Sequence, residues 1–434
     1  MTDPLVLAVV APLGLAVLLV CLRDPLHVAL PLFAALVPFG GLISIGHSRF
    51  SSLSSLVGIV LGLGLVLHLL RGRWSDVPLS LTTPLWLLFL GVAACTALWS
   101  VNPGKTVTSV MVLSSLVGVY LLISVSKIDK AVLTYTENGL LLGGVAVVLY
   151  GLFQLLVLGG FPADAPVGGI ATDGRFGNDM LGPNNQAVAL VLPLVIALSR
   201  MASRRERRSQ LIYGVVAVLM LAGILMTGSR GGMLATGVAM LALTMANGAG
   251  RAKLLSLTLV GALLVLLVFV FKPLGITERE VETTSSSGRT DIWRVGLAAC
   301  PQFCPVGAGW GTFPDVYAAT QSSVPDAAVL VGKGGSYEPH NVWFLAAIEL
   351  GVPGLLLLAL VFVLTFVDAV RLPPSLRGPP VAAFVATIFA ALFLSNLEFK
   401  FFWMAIILVS LARSLSLQVD RSELIRRPTP VERV

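Results

Sequence analysis

Three arginines in polar segments are the residues best suited to chemistry in this sequence. Arg230 lies in TGSRGG, Arg289 in SSSGRTDIW and Arg175 in GRFGNDMLGPNNQA. Asn184 follows Arg175 in the same segment. Small neighbours leave room for a ligand at each arginine, and the free N–H groups at the start of the helix predicted after Arg289 favour an anion there. The alternatives are an interface anchor for Arg230, a solvated loop position for Arg289 and a structural salt bridge for Arg175.

A histidine stands where a general base would be useful. His340 ends a long polar stretch, in EPHNVWFLAAIELGVPG, just before an apolar run. A neutral imidazole near pH 7 accepts a proton from a hydroxyl group in a transition state. A structural role for a single interfacial histidine is the alternative. We interpret Glu349, within the apolar run, as a support residue, because a carboxylate there is costly unless hydrogen-bonded or protonated.

The composition indicates the surroundings in which these residues work. Of 434 residues, 56% are hydrophobic and only 12% are charged, which excludes an ordinary soluble globular protein. Apolar runs of about 20 residues, the length of a membrane span, recur from residue 5 to residue 416. The first run has neither a basic region before it nor a cleavage site, so it is predicted to be a retained span.

The apolar segments predict an all-α polytopic membrane protein. Some segments are short or broken by Pro and Gly, so the predicted number of transmembrane helices is twelve or thirteen. The candidate spans are residues 5–22, 28–46, 53–70, 84–100, 106–126, 139–158, 185–199, 211–227, 231–247, 254–271, 341–369, 380–395 and 401–417.

Basic residues predict the orientation of the later spans. The arginine cluster at residues 200–208 and the basic tail are placed in the cytoplasm, since Lys and Arg are enriched on that side. Residues 159–184, 228–230 and 272–340 then face outward. The net charge of +7 is accounted for by these flanking arginines, and nucleic-acid binding is not expected.

The long outward loop divides the chain. The predicted division is a transmembrane bundle at residues 1–271, a periplasmic loop at residues 272–340, carboxy-terminal transmembrane helices at residues 341–417 and a cytoplasmic tail at residues 418–434. A loop of this length is usually functional or disordered, and its aromatic residues favour packing. An amphipathic helix is predicted over residues 289–299. Cys300 and Cys304 stand one helical turn apart and either form a disulfide or remain thiols.

A pattern at the end of this loop resembles a known family. The His-Asn pair at His340 and Asn341 is followed by Gly-x-x-Gly at Gly351 and Gly354. This spacing resembles the O-antigen ligase and polymerase superfamily of lipopolysaccharide assembly. Further landmarks similar to the family are Arg230, Arg289, and Arg175 with Gly182, Pro183 and Asn184.

The resemblance implies a specific reaction. An O-antigen ligase transfers O-antigen polysaccharide from undecaprenyl pyrophosphate to lipid A-core oligosaccharide, at a periplasmic active site of a multi-pass inner-membrane protein with a GT-C-like glycosyltransferase architecture. Arg230 and Arg289 would hold the pyrophosphate, and His340 would activate the acceptor hydroxyl in an inverting transfer. The predicted substrate-binding residues are Arg175, Asn341 and Asn184.

No metal or cofactor is expected. Many sugar transferases place a divalent cation at the leaving phosphate through an Asp-x-Asp element, and the sequence has none in the long loop. The acids of that loop show no cation-site spacing, so arginines are expected in place of a metal.

Several other functions fit part of the pattern. An O-antigen polymerase shares the donor but accepts a second lipid-linked repeat, and a protein-glycosylating ligase is a third relative. A membrane transporter or flippase is the alternative from another class. Transporters usually show related halves and polar groups near the membrane midplane, and the polar clusters of this sequence lie outward.

Overall fold

The computed structural model describes residues 4–40, 52–161, 175–177, 181–247, 250–259, 261, 289–324 and 337–426. The regular elements of this part of the chain are helices, so the all-α prediction is confirmed. Part of the predicted outward segment 159–184 and of the long loop lies outside the described residues.

The helices lie in the predicted apolar segments, although several of their boundaries differ from the predicted ones. The amino-terminal helices are α1 (Pro4–Arg23), α2 (Leu30–Leu36), α3 (Leu53–Leu70), α4 (Thr82–Cys95), α5 (Pro103–Ser124), α6 (Lys130–Val157), α7 (Gly182–Ser203), α8 (Arg207–Met226) and α9 (Arg230–Ala246). A further helical stretch covers residues 251–259. The later helices are α10 (Arg289–Phe303), α11 (Phe313–Thr320), α12 (Val342–Glu349), α13 (Gly351–Val370), α14 (Pro374–Ala390) and α15 (Lys400–Arg426).

Local sequence explains where many of these helices begin. A side-chain oxygen at the first position accepts a backbone N–H of the first turn, which otherwise has no partner. The capping residues are Ser52, Asn102, Asp129, Ser229 and Asn341.

The protein is a multi-pass membrane protein. Among the described residues, seven helices are long and apolar enough to span a membrane. An eighth is added if Gly14–Arg23 and Pro25–Phe39, which meet at 118°, form one broken span. The apolar segments Thr82–Leu98 and Arg230–Ala246 are shorter than this limit. The described residues therefore support a bundle of several spans, and the predicted number of twelve or thirteen stays a prediction.

Helix α7 lies at the centre of the bundle. Its span window is 83% buried, against 22% for the neighbouring α8, and α15 reaches 67%. A helix that is apolar on all sides is either surrounded by other helices or in contact with lipid, and the burial of α7 shows that other helices surround it. The buried α7 therefore holds its two ends in fixed positions, and its first turn carries Asn184.

The two ends of the bundle differ in chemistry. At one end, which we call the arginine end, the last turn of α7 carries Arg200, which forms a 2.6 Å ion pair with Glu137 of α6. At the opposite end, α7 and α9 begin and a cap lies against the helices. We define the cap as residues 289–324 and 337–349, which contain α10, α11 and α12, and we call this the cap end.

The cap has its own hydrophobic core. Its buried residues include Ile292, Val295, Phe313, Tyr317 and Ile348. A disulfide between Cys300 and Cys304, with a Cα–Cα distance of 4.7 Å, closes the last turn of α10. Of the two alternatives left open for these cysteines, a disulfide or free thiols, the structure has the disulfide.

The cap is fixed to the connection between α4 and α5. The Trp99 indole N–H donates to the Gly307 carbonyl at 3.1 Å, and the Val101 N–H donates to the Ala308 carbonyl at 2.9 Å. The Lys105 ammonium lies 2.9 Å from the carboxylate of Asp315 in α11. These contacts give the cap one position on the bundle.

The predicted continuous span at residues 341–369 is wrong in one respect. The chain breaks into α12 and α13 at Gly351, whose φ is +70°. A Cβ atom there would lie 2.7 Å from the Val306 carbonyl carbon, so the position requires glycine both for its conformation and for the close approach of the cap. The last predicted span, at residues 401–417, also differs from the structure, because α15 continues past residue 417 to Arg426.

Candidate anion-binding site and base

A cavity at the cap end collects several of the predicted residues. It lies where the first turns of α7, α9 and α10 meet the connection from α14 to α15. Its lining residues are Asn184, Ser229, Gly231, Gly232, Arg289, Ala390, Phe393 and Leu394.

Arg289 supplies the charge of this cavity. It is the first residue of α10 and is half-buried. Burial lowers the pKa of its guanidinium below the usual arginine value, and the group remains protonated at neutral pH. No side chain in the described part of the chain forms an ion pair or hydrogen bond with it. A half-buried cation without a counter-charge favours an anionic ligand.

The start of α9 adds backbone donors. Ser229 caps this helix, with its hydroxyl oxygen accepting the Gly232 N–H at 3.1 Å. Free N–H groups and the helix dipole favour an anion at such an end. Arg230, between the cavity residues Ser229 and Gly231, is exposed. Its guanidinium therefore extends into the surroundings of the cavity and is not part of its lining.

Arg175 lies against the turn between α8 and α9. The Phe176 N–H donates to the Met226 carbonyl at 3.1 Å, and a Cβ atom on Gly228 would lie 3.4 Å from Cδ of Arg175. The structure thus brings Arg175 and Asn184 to the same turn as Arg230, although these residues are far apart in the chain.

His340 has an unusual backbone conformation. Its φ is +48°, the one positive value among the described residues other than glycine. Such a conformation costs about 1–3 kcal/mol and is found preferentially at functional sites. The imidazole has no hydrogen-bond partner among the described residues. Burial lowers its pKa to about 4, and the positive charge of Arg289 acts in the same direction.

A hydrogen bond links His340 to the helix that carries Arg289. Trp293 lies one turn after Arg289 on α10, and its indole N–H donates to the Pro339 carbonyl at 2.7 Å. The sequence analysis assigned no role to Trp293. The available signal was its spacing of four residues from Arg289 on a predicted helix, which places both side chains on one face.

Asn341 has both polar side-chain atoms engaged. Its Oδ1 accepts the Phe344 N–H at 3.0 Å and its Nδ2 donates to the Leu392 carbonyl at 3.3 Å. The next residue, Val342, donates its N–H to the Ala391 carbonyl at 2.9 Å. Asn341 thus fixes the chain beside His340 against the connection from α14 to α15, and its predicted contact with substrate stays a prediction.

Glu349 supports the cap. Its side chain is 1% exposed, and its two carboxyl oxygens accept the N–H groups of Gly311 and Phe313, each at 2.8 Å. Burial raises its pKa to about 8, against the lowering effect of those two hydrogen bonds. The contacts agree with its interpretation as a support residue, because they hold the start of α11.

Possible metal ligands do not converge in the described residues. No group of three His, Cys, Asp or Glu side chains among them is arranged to hold a metal ion.

Fold and site together define a class of protein: a multi-pass helical membrane protein with an arginine-lined cavity and a histidine at one end. Residues 215–359 match the family model described as O-antigen ligase. The match runs from α8 through the cap into α13 and includes Arg230, Arg289 and His340, so the resemblance found in the sequence is confirmed. No curated protein gives a significant match to the chain.

Proposed function

We propose that this protein is an O-antigen ligase that transfers O-antigen polysaccharide from undecaprenyl pyrophosphate to lipid A-core oligosaccharide. The observation that carries the proposal is the position of Arg289, a half-buried cation with no counter-charge among the described residues, lining a cavity beside His340. The family match over residues 215–359 supports the same conclusion.

In this proposal the cavity binds the pyrophosphate of the donor. Arg289 forms the main contact, and Asn184 and the free N–H groups at the start of α9 complete it. Arg230 and Arg175 approach the same group from the adjacent turn. Negative charge grows on the pyrophosphate as it leaves, so fixed positive groups stabilise the transition state more than the ground state.

His340 acts as the base for the acceptor sugar. Its imidazole takes the proton from an acceptor hydroxyl while that oxygen bonds to the anomeric carbon of the donor. The bond from this carbon to the pyrophosphate oxygen breaks, and the electron pair leaves with the pyrophosphate. Attack from the opposite face inverts the anomeric configuration, and the arginines stabilise the leaving group without a metal.

The low pKa of His340 fits this role once the donor is bound. In the free protein, Arg289 disfavours protonation of the imidazole. A bound pyrophosphate offsets the positive charge of Arg289, which raises the pKa of His340 toward the value that an efficient base needs. Donor binding therefore prepares the base.

The proposed orientation places the cap end in the periplasm of the inner membrane and the arginine end in the cytoplasm. Cytoplasmic enrichment of Lys and Arg supports it, as does the disulfide between Cys300 and Cys304, since such bonds persist in oxidising compartments. In this arrangement the chain has twelve or thirteen spans, a GT-C-like architecture and the domain boundaries predicted from the sequence.

The test is an assay with purified protein, lipid-linked O-antigen and lipid A-core, run with and without EDTA. The ligase proposal predicts a linked product that survives EDTA and is lost in Arg289→Gln and His340→Asn. Elongation of lipid-linked repeats without transfer to lipid A-core would identify a polymerase. Movement of the lipid-linked donor across the membrane without a new glycosidic bond would identify a transporter.

A further inference from the structure

A second cation lies at the cap end, away from the residues discussed so far. Lys400 begins α15, and its ammonium donates to three hydroxyl oxygens at the start of α3. The distances are 3.2 Å to Ser52, 2.6 Å to Ser54 and 2.9 Å to Ser55. Ser52 and Ser54 are at most 1% exposed, whereas Ser55 and Lys400 are half-buried, so the cluster is open on one side.

Lys400 differs from the comparable cations of the chain. Lys105 and Arg200 each pair with a carboxylate, whereas Lys400 forms no ion pair with a described carboxylate. Its hydrogen-bond partners are the neutral hydroxyl groups of three serines, so no described partner carries a counter-charge. An ionisable side chain at the edge of a membrane bundle is costly to keep in this condition, which indicates a functional role.

The connection from α14 to α15 joins this cluster to the Arg289 cavity. It supplies Phe393 and Leu394 to the cavity and ends at Lys400. Between Leu394 and Lys400, Ser395 and Asn396 each have a buried side-chain oxygen that has no hydrogen-bond partner in the described part of the chain. Buried polar atoms of this kind normally have a partner, from protein, water or ligand.

We propose that Lys400, with Ser52, Ser54 and Ser55, forms a second anion site that binds a phosphate group on a membrane-embedded lipid. The phosphate supplies the negative counter-charge for the Lys400 ammonium, and the three serine hydroxyls hold that ammonium in place. Hydroxyl groups next to the phosphate contact Ser395 and Asn396. This inference deepens the proposed function, on which it rests for the expectation of two phosphorylated lipid substrates, and it concerns binding alone.

The experiment measures ligand-induced stabilisation in nanodiscs. Arg289→Gln protein is used throughout, so that the proposed donor cavity is silenced, and it is compared with the Arg289→Gln, Lys400→Met double variant. One arm adds inorganic phosphate to phosphatidylcholine discs. The other arm replaces part of the phosphatidylcholine with phosphatidylglycerol. A ligand that binds only the folded state raises Tm in proportion to the logarithm of its concentration.

We expect Tm to rise in at least one arm, and the double variant to require a roughly tenfold or greater ligand concentration for the same rise. A rise with phosphatidylglycerol alone identifies a lipid headgroup, and a rise with inorganic phosphate identifies a free or substrate phosphate. Lys253→Met, at the arginine end, is the matched control and keeps the full response.

Two results would overturn the proposal. One is the same response with and without Lys400. The other is a Tm lowered equally at every ligand concentration by Lys400→Met, since that describes a merely structural lysine. Lys400→Arg separates folding from charge, because it keeps the charge and is expected to keep the response. Loss of sugar transfer in Arg289→Gln belongs to the proposed function and leaves this binding test unaffected.

Discussion

Trp293 donates its indole N–H to the carbonyl of Pro339 at 2.7 Å. This hydrogen bond crosses from α10, which begins with Arg289, to the residue before His340. Arg289 and the imidazole of His340 therefore belong to two segments of the cap that this hydrogen bond joins, so their separation is set by the packing of the cap.

We expect Trp293→Phe to reduce sugar transfer by roughly fivefold to tenfold, the effect of losing one such hydrogen bond in a positioning contact. The ring still fills its site, so folding is kept. The readout that separates positioning from stability is kcat, which falls while the KM for the lipid-linked donor stays constant. Trp74→Phe, an exposed tryptophan at the arginine end, is the control and leaves both constants unchanged.

His340→Asn should lower transfer by about 100-fold to 10,000-fold, the usual contribution of a general base. Asparagine tolerates a positive φ better than most residues, so this variant keeps the backbone at +48°. Donor binding, measured without acceptor, is expected to persist. Full activity in a folded His340→Asn protein would exclude the imidazole as the base.

The pH dependence of kcat/KM follows from the pKa of His340. A pKa of about 4 in the free protein keeps the imidazole neutral at higher pH. We therefore expect kcat/KM to be constant from about pH 5.5 to pH 8 and to fall as the pH drops toward 4. The dependence of kcat itself reports the donor complex. Its acid limb lies at higher pH, because bound pyrophosphate offsets Arg289. Identical acid limbs for the two constants would contradict the proposed coupling.

Glu349→Ala should destabilise the protein by roughly 2–4 kcal/mol, because two buried N–H groups lose their acceptor. The measurement is thermal unfolding in detergent, and the cap is expected to become more accessible to protease at residues near α11. Glu206→Ala, at the exposed start of α8, is the control and stays close to wild type. An unchanged Tm for Glu349→Ala would show that the start of α11 does not depend on this carboxylate.

Gly351→Ala should also destabilise the protein, by more than about 1 kcal/mol, because a side chain is strained at φ +70° and would meet the cap backbone. Gly62 lies within α3 with no atom near its Cβ direction. Gly62→Ala is therefore expected to be neutral or slightly stabilising. Equal Tm values for the two alanine variants would show that the cap does not pack closely on Gly351.

Much of the fold was predictable because apolar length is a strong signal in membrane proteins. Helices α3, α8 and α9 begin or end within four residues of their predicted spans. The break at Gly351 was missed, since α12 and α13 are both apolar and hydropathy does not report a backbone turn. The packing of the cap on α4 and α5 was also beyond the sequence, because it depends on contacts distant in the chain.

The residues of the site were predictable by type, and their arrangement was not. Arg289 and His340 stood out because charged and imidazole groups are rare in so apolar a chain. The role of Trp293 depends on an acceptor 46 residues away. The sequence does not distinguish Lys400 from an ordinary lysine at the membrane interface, because it stands at the start of a span. Only its contacts with three serines do so.

The break at Gly351 connects the cap directly to α13, a helix that is long and apolar enough to span the membrane. Helix α13 is a full span, and its first residue touches the cap at Val306. A span longer or shorter than the local hydrocarbon core responds by tilting. A tilt of α13 is therefore expected to be transmitted to the cap, in which Arg289 and His340 lie.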